Sequence, residues 1–406
     1  MSPLPTDLGL PAPLRQVLAE LGVPATDARL SLVSGGQAES YLVLPSPDRP
    51  QLLVPITAAG GELVAERRSG GAAGRTVKRV LAGALRRGYA GYLPGPRLLV
   101  RGDQLSRWAD FASAGACRSA GFMWGPPRAN RKPVLRLFDA DGSTWGYAKV
   151  GINDLTNELV DAEAVRLARV NALTWRTLRP PKVLLDDTLD GRRVLTTAPL
   201  AGVGAERQPA ALPVAATREL SAQLPTSEAT LAEILVGPPA KHPAAKDPAS
   251  NDRVGSLTQR AIERWGDRIL TVGASHGDWT PWNMAYSTDT IDGERVLDVW
   301  DWERFEDDRP LGFDIVHFAC SAIDAARSDA ADPQSPVIRG LRDQFAACGL
   351  DASLVDPVLA AYLLLITQRY DADLVREPVP SLSRRRQWAL DLLDGHLQHT
   401  ITEERS

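Results

Sequence analysis

His276-Gly277-Asp278-Trp279-Thr280-Pro281-Trp282-Asn283, followed by Trp300-Asp301-Trp302-Glu303, is the stretch that decides the reading of this chain. It supplies a carboxylate, an amide five residues later and a second carboxylate eighteen residues beyond that. A carboxylate can accept a hydroxyl proton, and amide and carboxylate oxygens suit a hard divalent cation. The order predicts a loop kinked at Pro281, then a buried strand over Val296-Leu-Asp-Val-Trp-Asp-Trp302. Asp301 in that apolar run needs a partner, and a cation is the natural one. The plainer reading is a loop aspartate capping a helix and a core strand with one odd acid. Three such groups in one ordered pattern argue against it.

His-Gly-Asp, four variable residues and Asn, followed by Asp-Trp-Glu, resembles the aminoglycoside phosphotransferase and choline kinase-like family. Protein kinases carry His-Arg-Asp and Asp-Phe-Gly at these places. The resemblance implies an α+β, bilobal protein kinase-like fold. It implies transfer of the γ-phosphoryl group of ATP to a hydroxyl of a small molecule: a sugar, amino sugar, aminoglycoside or amino alcohol. Mg²⁺ is the implied metal. Asp278 becomes the catalytic group, Asn283 and Asp301 the metal ligands, and His276 a brace for the catalytic loop through backbone hydrogen bonds. Asp314, in Pro310-Leu-Gly-Phe-Asp-Ile-Val-His317, matches a downstream bracing aspartate. By resemblance alone, Arg369, Tyr370, Asp371 and Asp373 are candidates for contacting the acceptor. Two other readings stand beside this one. A kinase for Ser or Thr in a peptide would need an activation segment ending in Ala-Pro-Glu, which the sequence lacks. A non-catalytic nucleotide-binding or interaction protein would not need the intact acidic set.

Upstream, Lys149 ends the strand pattern Thr144-Trp-Gly-Tyr-Ala-Lys-Val150. A lysine there either snorkels to solvent or holds the α- and β-phosphates of ATP. Glu163 shares the packed face of the following helix with Leu159, Leu167 and Val170. A carboxylate on that face needs a cation, and Lys149 is the expected one, with Glu158 as the runner-up partner. No Gly-x-Gly-x-x-Gly covers the phosphates. The loop Gly125–Pro133 offers Arg128, Arg131 and Lys132 instead. Ala198-Pro199-Leu200-Ala201-Gly202 resembles the family's inter-lobe hinge, which implies that Pro199 and Leu200 meet the nucleotide base.

The remaining features bound the answer. The 406 residues allow two or three domains. Three sections are read: an N-terminal cap or docking module over 1–108, a kinase-like N-lobe over 109–200, and a mainly helical C-lobe over 201–406. The appended module is similar to the arrangement in maltokinase-like sugar kinases. Residues 60–107 hold ten basic and three acidic side chains, a net of +7, read as a solvated face or a phosphate-facing one. Over the whole chain the charge is −4, so nothing global argues for a nucleic-acid partner. Residues 276–314 hold eleven acids and three arginines, a net of −8. Glu303, Glu306, Asp307 and Asp308 are left over from the metal, either solvated or facing an amino group of the acceptor. Trp279 is read as core or as facing the acceptor. Cys117, Cys320 and Cys348 fit reduced thiols. The N-terminus lacks a signal-peptide pattern and the apolar run Val358–Thr367 is too short to span a bilayer, so a cytoplasmic protein is expected, with no membrane partner.

Overall fold

The computed structural model describes residues 7–31, 39–66, 72–89, 96–125, 130–201, 207–237, 248–291, 293–323, 331–376 and 378–404. The chain is α+β and divides into two compact units. The first holds residues 1–168 and 181–200, the second residues 169–180 and 201–406.

The first unit opens with β1 (Asp7–Leu8), α1 (Ala12–Glu20), β2 (Ala28–Ser31), β3 (Glu39–Ser46) and β4 (Arg49–Pro55). Next come α2 (Ala58–Glu66), α3 (Ala72–Arg86), β5 (Arg97–Val100), α4 (Ser106–Ala112) and β6 (Ser119–Trp124). Then follow β7 (Pro133–Phe138), β8 (Thr144–Val150) and α5 (Asp154–Asn171). After β9 (Leu178–Arg179), which belongs to the second unit, β10 (Val183–Leu189) and β11 (Arg192–Thr197) close it.

Its ten strands form one sheet in the order β1-β2-β5-β3-β4-β6-β7-β8-β11-β10. The expected border between a cap module and an N-lobe at residue 108 is not a structural border. β4 pairs with β6 across it, Leu52 opposite Met123 and Leu53 opposite Phe122. Alternation along the strands explains the packing. Tyr41, Val43 and Leu53 join Phe122, Leu135 and Ala148 in one core under Leu14, Val17 and Leu18 of α1 and Trp108 of α4. Leu42, Leu52 and Val54 point the other way, onto Leu63 of α2 and Leu85 of α3. A core that runs unbroken through both sections cannot be divided without exposing it.

The second unit comprises α6 (Val214–Ala222), β12 (Ser227–Thr230), α7 (Leu231–Val236), α8 (Pro248–Trp265), β13 (Ile269–Ser275), β14 (Met284–Ile291) and β15 (Glu294–Val299). It continues through β16 (Glu306–Pro310), α9 (Phe313–Ser321), α10 (Pro336–Arg339), α11 (Leu341–Ala347), α12 (Val355–Arg376) and α13 (Pro380–Glu404). Two three-stranded sheets, β12-β13-β16 and β14-β15-β9, sit among the helices. The run Val358–Thr367 is the buried half of α12, packed against α9, α11 and α13. Among the described residues no helix is long and apolar enough to cross a membrane. Cys117, Cys320 and Cys348 are buried and free.

Trp108 joins the two halves of the first unit's core. It is wholly buried, and its indole N–H donates to the Leu21 carbonyl at 3.0 Å. Trp108→Ala should cost about 4 kcal/mol of unfolding free energy. Urea unfolding should show a lower midpoint for the strands on both sides of residue 108 together. Loss confined to one side would mean that the halves fold separately.

Candidate functional site

In the second unit, β13 ends at Ser275 and the chain turns through His276, Gly277 and Asp278. Asp314, in the first turn of α9, makes that turn possible. Its buried carboxylate accepts from the Ser275 hydroxyl at 3.0 Å, the His276 amide at 2.8 Å and the Gly277 amide at 3.0 Å. Gly277 has φ +76°, and a Cβ there would lie 2.3 Å from the Arg304 carbonyl oxygen. Only glycine fits. This accounts for the departure from the arginine of the protein-kinase signature at that position.

His276 is wholly buried between Trp279 and Trp302. Its Nδ1 accepts from the Asp278 amide at 3.3 Å, so the proton sits on Nε2, which donates to the Trp300 carbonyl at 3.1 Å. One ring therefore ties the loop to the segment carrying Asp301. Burial holds this imidazole below the usual histidine range, although the carboxylates of Asp314, Asp278 and Asp301 oppose it.

Asp278 is held at both oxygens. His317 Nε2 lies 3.0 Å from Oδ1, and Asn283 Nδ2 donates to Oδ2 at 2.9 Å and to the Asp278 carbonyl at 3.0 Å. Burial raises the Asp278 carboxyl, but the His317 hydrogen bond and the charge of Arg369 oppose it. The group is held well below the usual carboxylate range. Its side chain is 32% exposed, so part of the carboxylate still faces outward.

Both contacts of the Asn283 amide are to oxygen acceptors, which identifies that atom as nitrogen. Its side-chain oxygen accepts no hydrogen bond among the described residues. β14 and β15 pair Met284 with Val299, and the Trp300 amide donates to the Asn283 backbone carbonyl at 3.0 Å. Asn283 and Asp301 therefore flank the same end of one hairpin. Asp301 lies two residues beyond β15, not inside a strand as the apolar run predicts. It adopts φ +70°, a conformation aspartate tolerates but seldom takes without a reason. The acid inside the strand is Asp298, buried and paired with Arg179 at 2.6 Å. The donor set, an amide oxygen and a carboxylate, fits a hard divalent cation.

In the first unit, Lys149 Nζ reaches both carboxylate oxygens of Glu163 at 2.6 Å. Glu163 is buried on α5, whereas Glu158 is exposed. The sheet register sets Lys149 between Val134 of β7 and Leu195 of β11. Arg131 does not stand open to a ligand. Its guanidinium faces Glu20, 3.7 Å away, and Glu20 also accepts from the Trp124 indole at 2.8 Å. Arg128 lies outside the described residues. Pro199 and Leu200 follow β11, with Pro199 exposed.

Several candidates for acceptor contact have other partners. Trp279 is wholly buried and donates to Thr217 at 3.1 Å, while Trp282 is the exposed one of the pair. Asp307 pairs with Arg169 at 2.6 Å, Glu306 with Arg309, and Glu303 is buried. Arg369 donates to the Gly277 carbonyl at 2.7 Å, Asp371 pairs with Arg386, and Asp373 lies 3.4 Å from Arg304. The residue that sequence reasoning missed is His317. Its signal was the three-residue spacing from Asp314, which sets both on one helical face.

No protein-family profile matches the chain, and no curated protein matches it. Among solved structures it is similar to an aminoglycoside 2'-phosphotransferase in its GDP complex, at 12% identity over 70% of this chain and 93% of that one, TM-score 0.42. It is similar to the macrolide 2'-phosphotransferase MphH of Brachybacterium faecium, at 14% identity, 71% and 98% coverage and TM-score 0.40. A spectinomycin phosphotransferase with ADP and spectinomycin gives 10% identity, 74% and 99% coverage and TM-score 0.41. Overlaps this partial carry no argument about activity, which rests on this chain's own residues.

Two measurements test the loop. Gly277→Ala should lower the unfolding free energy by at least ~2 kcal/mol, from left-handed strain and the clash with Arg304. A neutral effect in urea unfolding would mean that the turn is not fixed. The second test uses pH. The folded His276 ring refuses a proton that the unfolded chain binds. Its contribution is therefore complete above the ordinary histidine pKa of about 6.5 and shrinks as pH falls below it. His396, also depressed by burial, acts in the same direction. The urea midpoint should drop between about pH 7.5 and 5.5, and less so in His276→Gln. An equal or higher midpoint at the lower pH would contradict this.

Proposed function

We propose that this chain is an ATP-dependent phosphotransferase of the aminoglycoside phosphotransferase and choline kinase-like, protein kinase-like group. It moves the γ-phosphoryl group to a hydroxyl of a small molecule. The observation that carries this reading is the loop carboxylate of Asp278, gripped at both oxygens and partly exposed, beside a side-chain oxygen of Asn283 that has no hydrogen-bond partner among the described residues.

Phosphoryl transfer passes through a loose transition state, so placing the nucleophile matters more than removing its proton early. A carboxylate held below its usual range is a weak base but a good hydrogen-bond acceptor. It can fix the direction of an acceptor hydroxyl and take its proton late. Asn283, through its side-chain oxygen, and Asp301 would hold Mg²⁺. When bound, the ion offsets the charge of the phosphate oxygens. Lys149 would hold the α- and β-phosphates. Its ammonium is fixed by a carboxylate that spans it with both oxygens. Pro199 and Leu200, just after β11, would meet the nucleotide base.

The test is phosphate transfer from radiolabelled ATP with Mg²⁺ to glucose, glucosamine, kanamycin, choline and a Ser/Thr peptide. Label should appear on a small molecule and not on the peptide. Asp278→Asn should lower kcat about 10³-fold while leaving MgATP binding within a few-fold of wild type. Asn283→Ala should raise the Mg²⁺ concentration needed for half-maximal rate. Transfer that survives Asp278→Asn, or a protein that does not bind MgATP, would sink the reading.

A further inference from the structure

We propose that His317 is the positioning residue for Asp278, with Tyr362 setting which ring nitrogen carries the proton. Asp278, an ionised carboxylate, only accepts hydrogen bonds. The 3.0 Å contact therefore requires a hydrogen on His317 Nε2. On the other side of the ring, the Tyr362 hydroxyl lies 3.2 Å from Nδ1. Tyr362 comes from α12 and is buried, and Nδ1 is the one hydrogen-bond partner of its hydroxyl among the described residues. If Nδ1 also carried a proton, the Tyr362 hydrogen would be a buried donor with no acceptor. The arrangement that satisfies every group is Tyr362 O–H to Nδ1, and Nε2–H to Asp278 Oδ1.

The ring is held in place by packing. It stacks on Phe313 at 11° between planes and meets Tyr362 edge to face at 76°. The other charged and titratable groups around these residues include Arg369 and Tyr370 of α12, Arg385 of α13, Cys320 of α9, His276 of the loop and Arg304. None of them hydrogen-bonds His317. With Asn283 on Oδ2 and His317 on Oδ1, the carboxylate cannot rotate. Its remaining lone pairs keep one direction for the acceptor hydroxyl. Without His317 one oxygen is released and the direction is lost.

The role in catalysis rests on the phosphotransfer reading; the proton arrangement does not. Three variants separate the possibilities. His317→Leu fills the space without a donor, His317→Gln offers an amide N–H near the Nε2 position, and Tyr362→Phe removes the hydroxyl. With MgATP and the most rapidly phosphorylated compound of the panel, His317→Leu should lower kcat about 10- to 100-fold, with the KM for MgATP within about threefold. His317→Gln should recover most of that loss. Thermal midpoints show whether each variant is folded. Full activity in His317→Leu, or a folded His317→Gln as slow as the leucine variant, would overturn the proposal. Long-range ¹H–¹⁵N spectra of the imidazoles, with His317 assigned by its disappearance in His317→Gln, read the proton directly. A neutral Nε2–H ring is expected at neutral pH, and Tyr362→Phe should lose that single form. An Nδ1–H ring or an imidazolium in the wild type would overturn the proposal whether or not the protein is active. An enzyme that needs Asp278 but ignores His317→Leu refutes this inference alone, whereas one indifferent to Asp278→Asn refutes the phosphotransfer reading.

Discussion

Asp314 holds the second unit's site together. A carboxylate buried without a cation is expensive, and this one is met by three neutral donors: one hydroxyl and two successive amides. Those two amides belong to the residues that turn the chain into the left-handed conformation of Gly277. The bonds to Asp314 thus do two things at once. They compensate a buried charge, and they fix the backbone from which Asp278 projects. Arg369 reinforces the same turn from α12 by donating to the Gly277 carbonyl. Helices α9 and α12 are anchored by a large apolar core, so the loop inherits their rigidity.

From that fixed backbone the side chains form a closed set. His276 uses one nitrogen on the Asp278 amide and the other on the Trp300 carbonyl. Asn283 spends its two amide hydrogens on Asp278 and keeps its oxygen. His317 supplies the last contact. Each group is committed by its own hydrogen-bonding capacity, which leaves few alternative arrangements. The first unit follows the same rule with opposite charges. Glu163 is buried on α5, and Lys149 reaches both of its oxygens from β8, an interior strand of the sheet.

Much of this was legible in the sequence because it depends on local order. The spacing of Asp278, Asn283 and Asp301 survives as one loop and one hairpin. The strand pattern Thr144–Val150 that carries Lys149 is strand β8. Helical spacing put Glu163, not Glu158, on the packed side of α5. The differences between sequence and structure share a physical cause. The apolar neighbours of Asp301 predict a strand, but the ladder ends at Val299 and the chain turns. The position of Trp279 after Asp278 leaves core and acceptor both open, and the loop directs it into the core. Nothing nearby in the chain neutralises Arg131, whereas Glu20 does so from α1.

The sequence by itself determined the chemical kit and its order: which acids, amides and cations exist, and which lie on the same turn or face. Those facts follow from periodicity and loop length, which neighbouring residues decide. Only the tertiary structure decided the partners drawn from distant parts of the chain. It joined the first hundred residues to the next hundred through the pairing of β4 with β6. It paired Glu306 with Arg309 and Asp307 with Arg169, and it brought His317 and Tyr362 to Asp278. Those contacts join residues 39 to 45 positions apart, and sequence spacing carries no signal at that range. Packing of helices against the loop creates them.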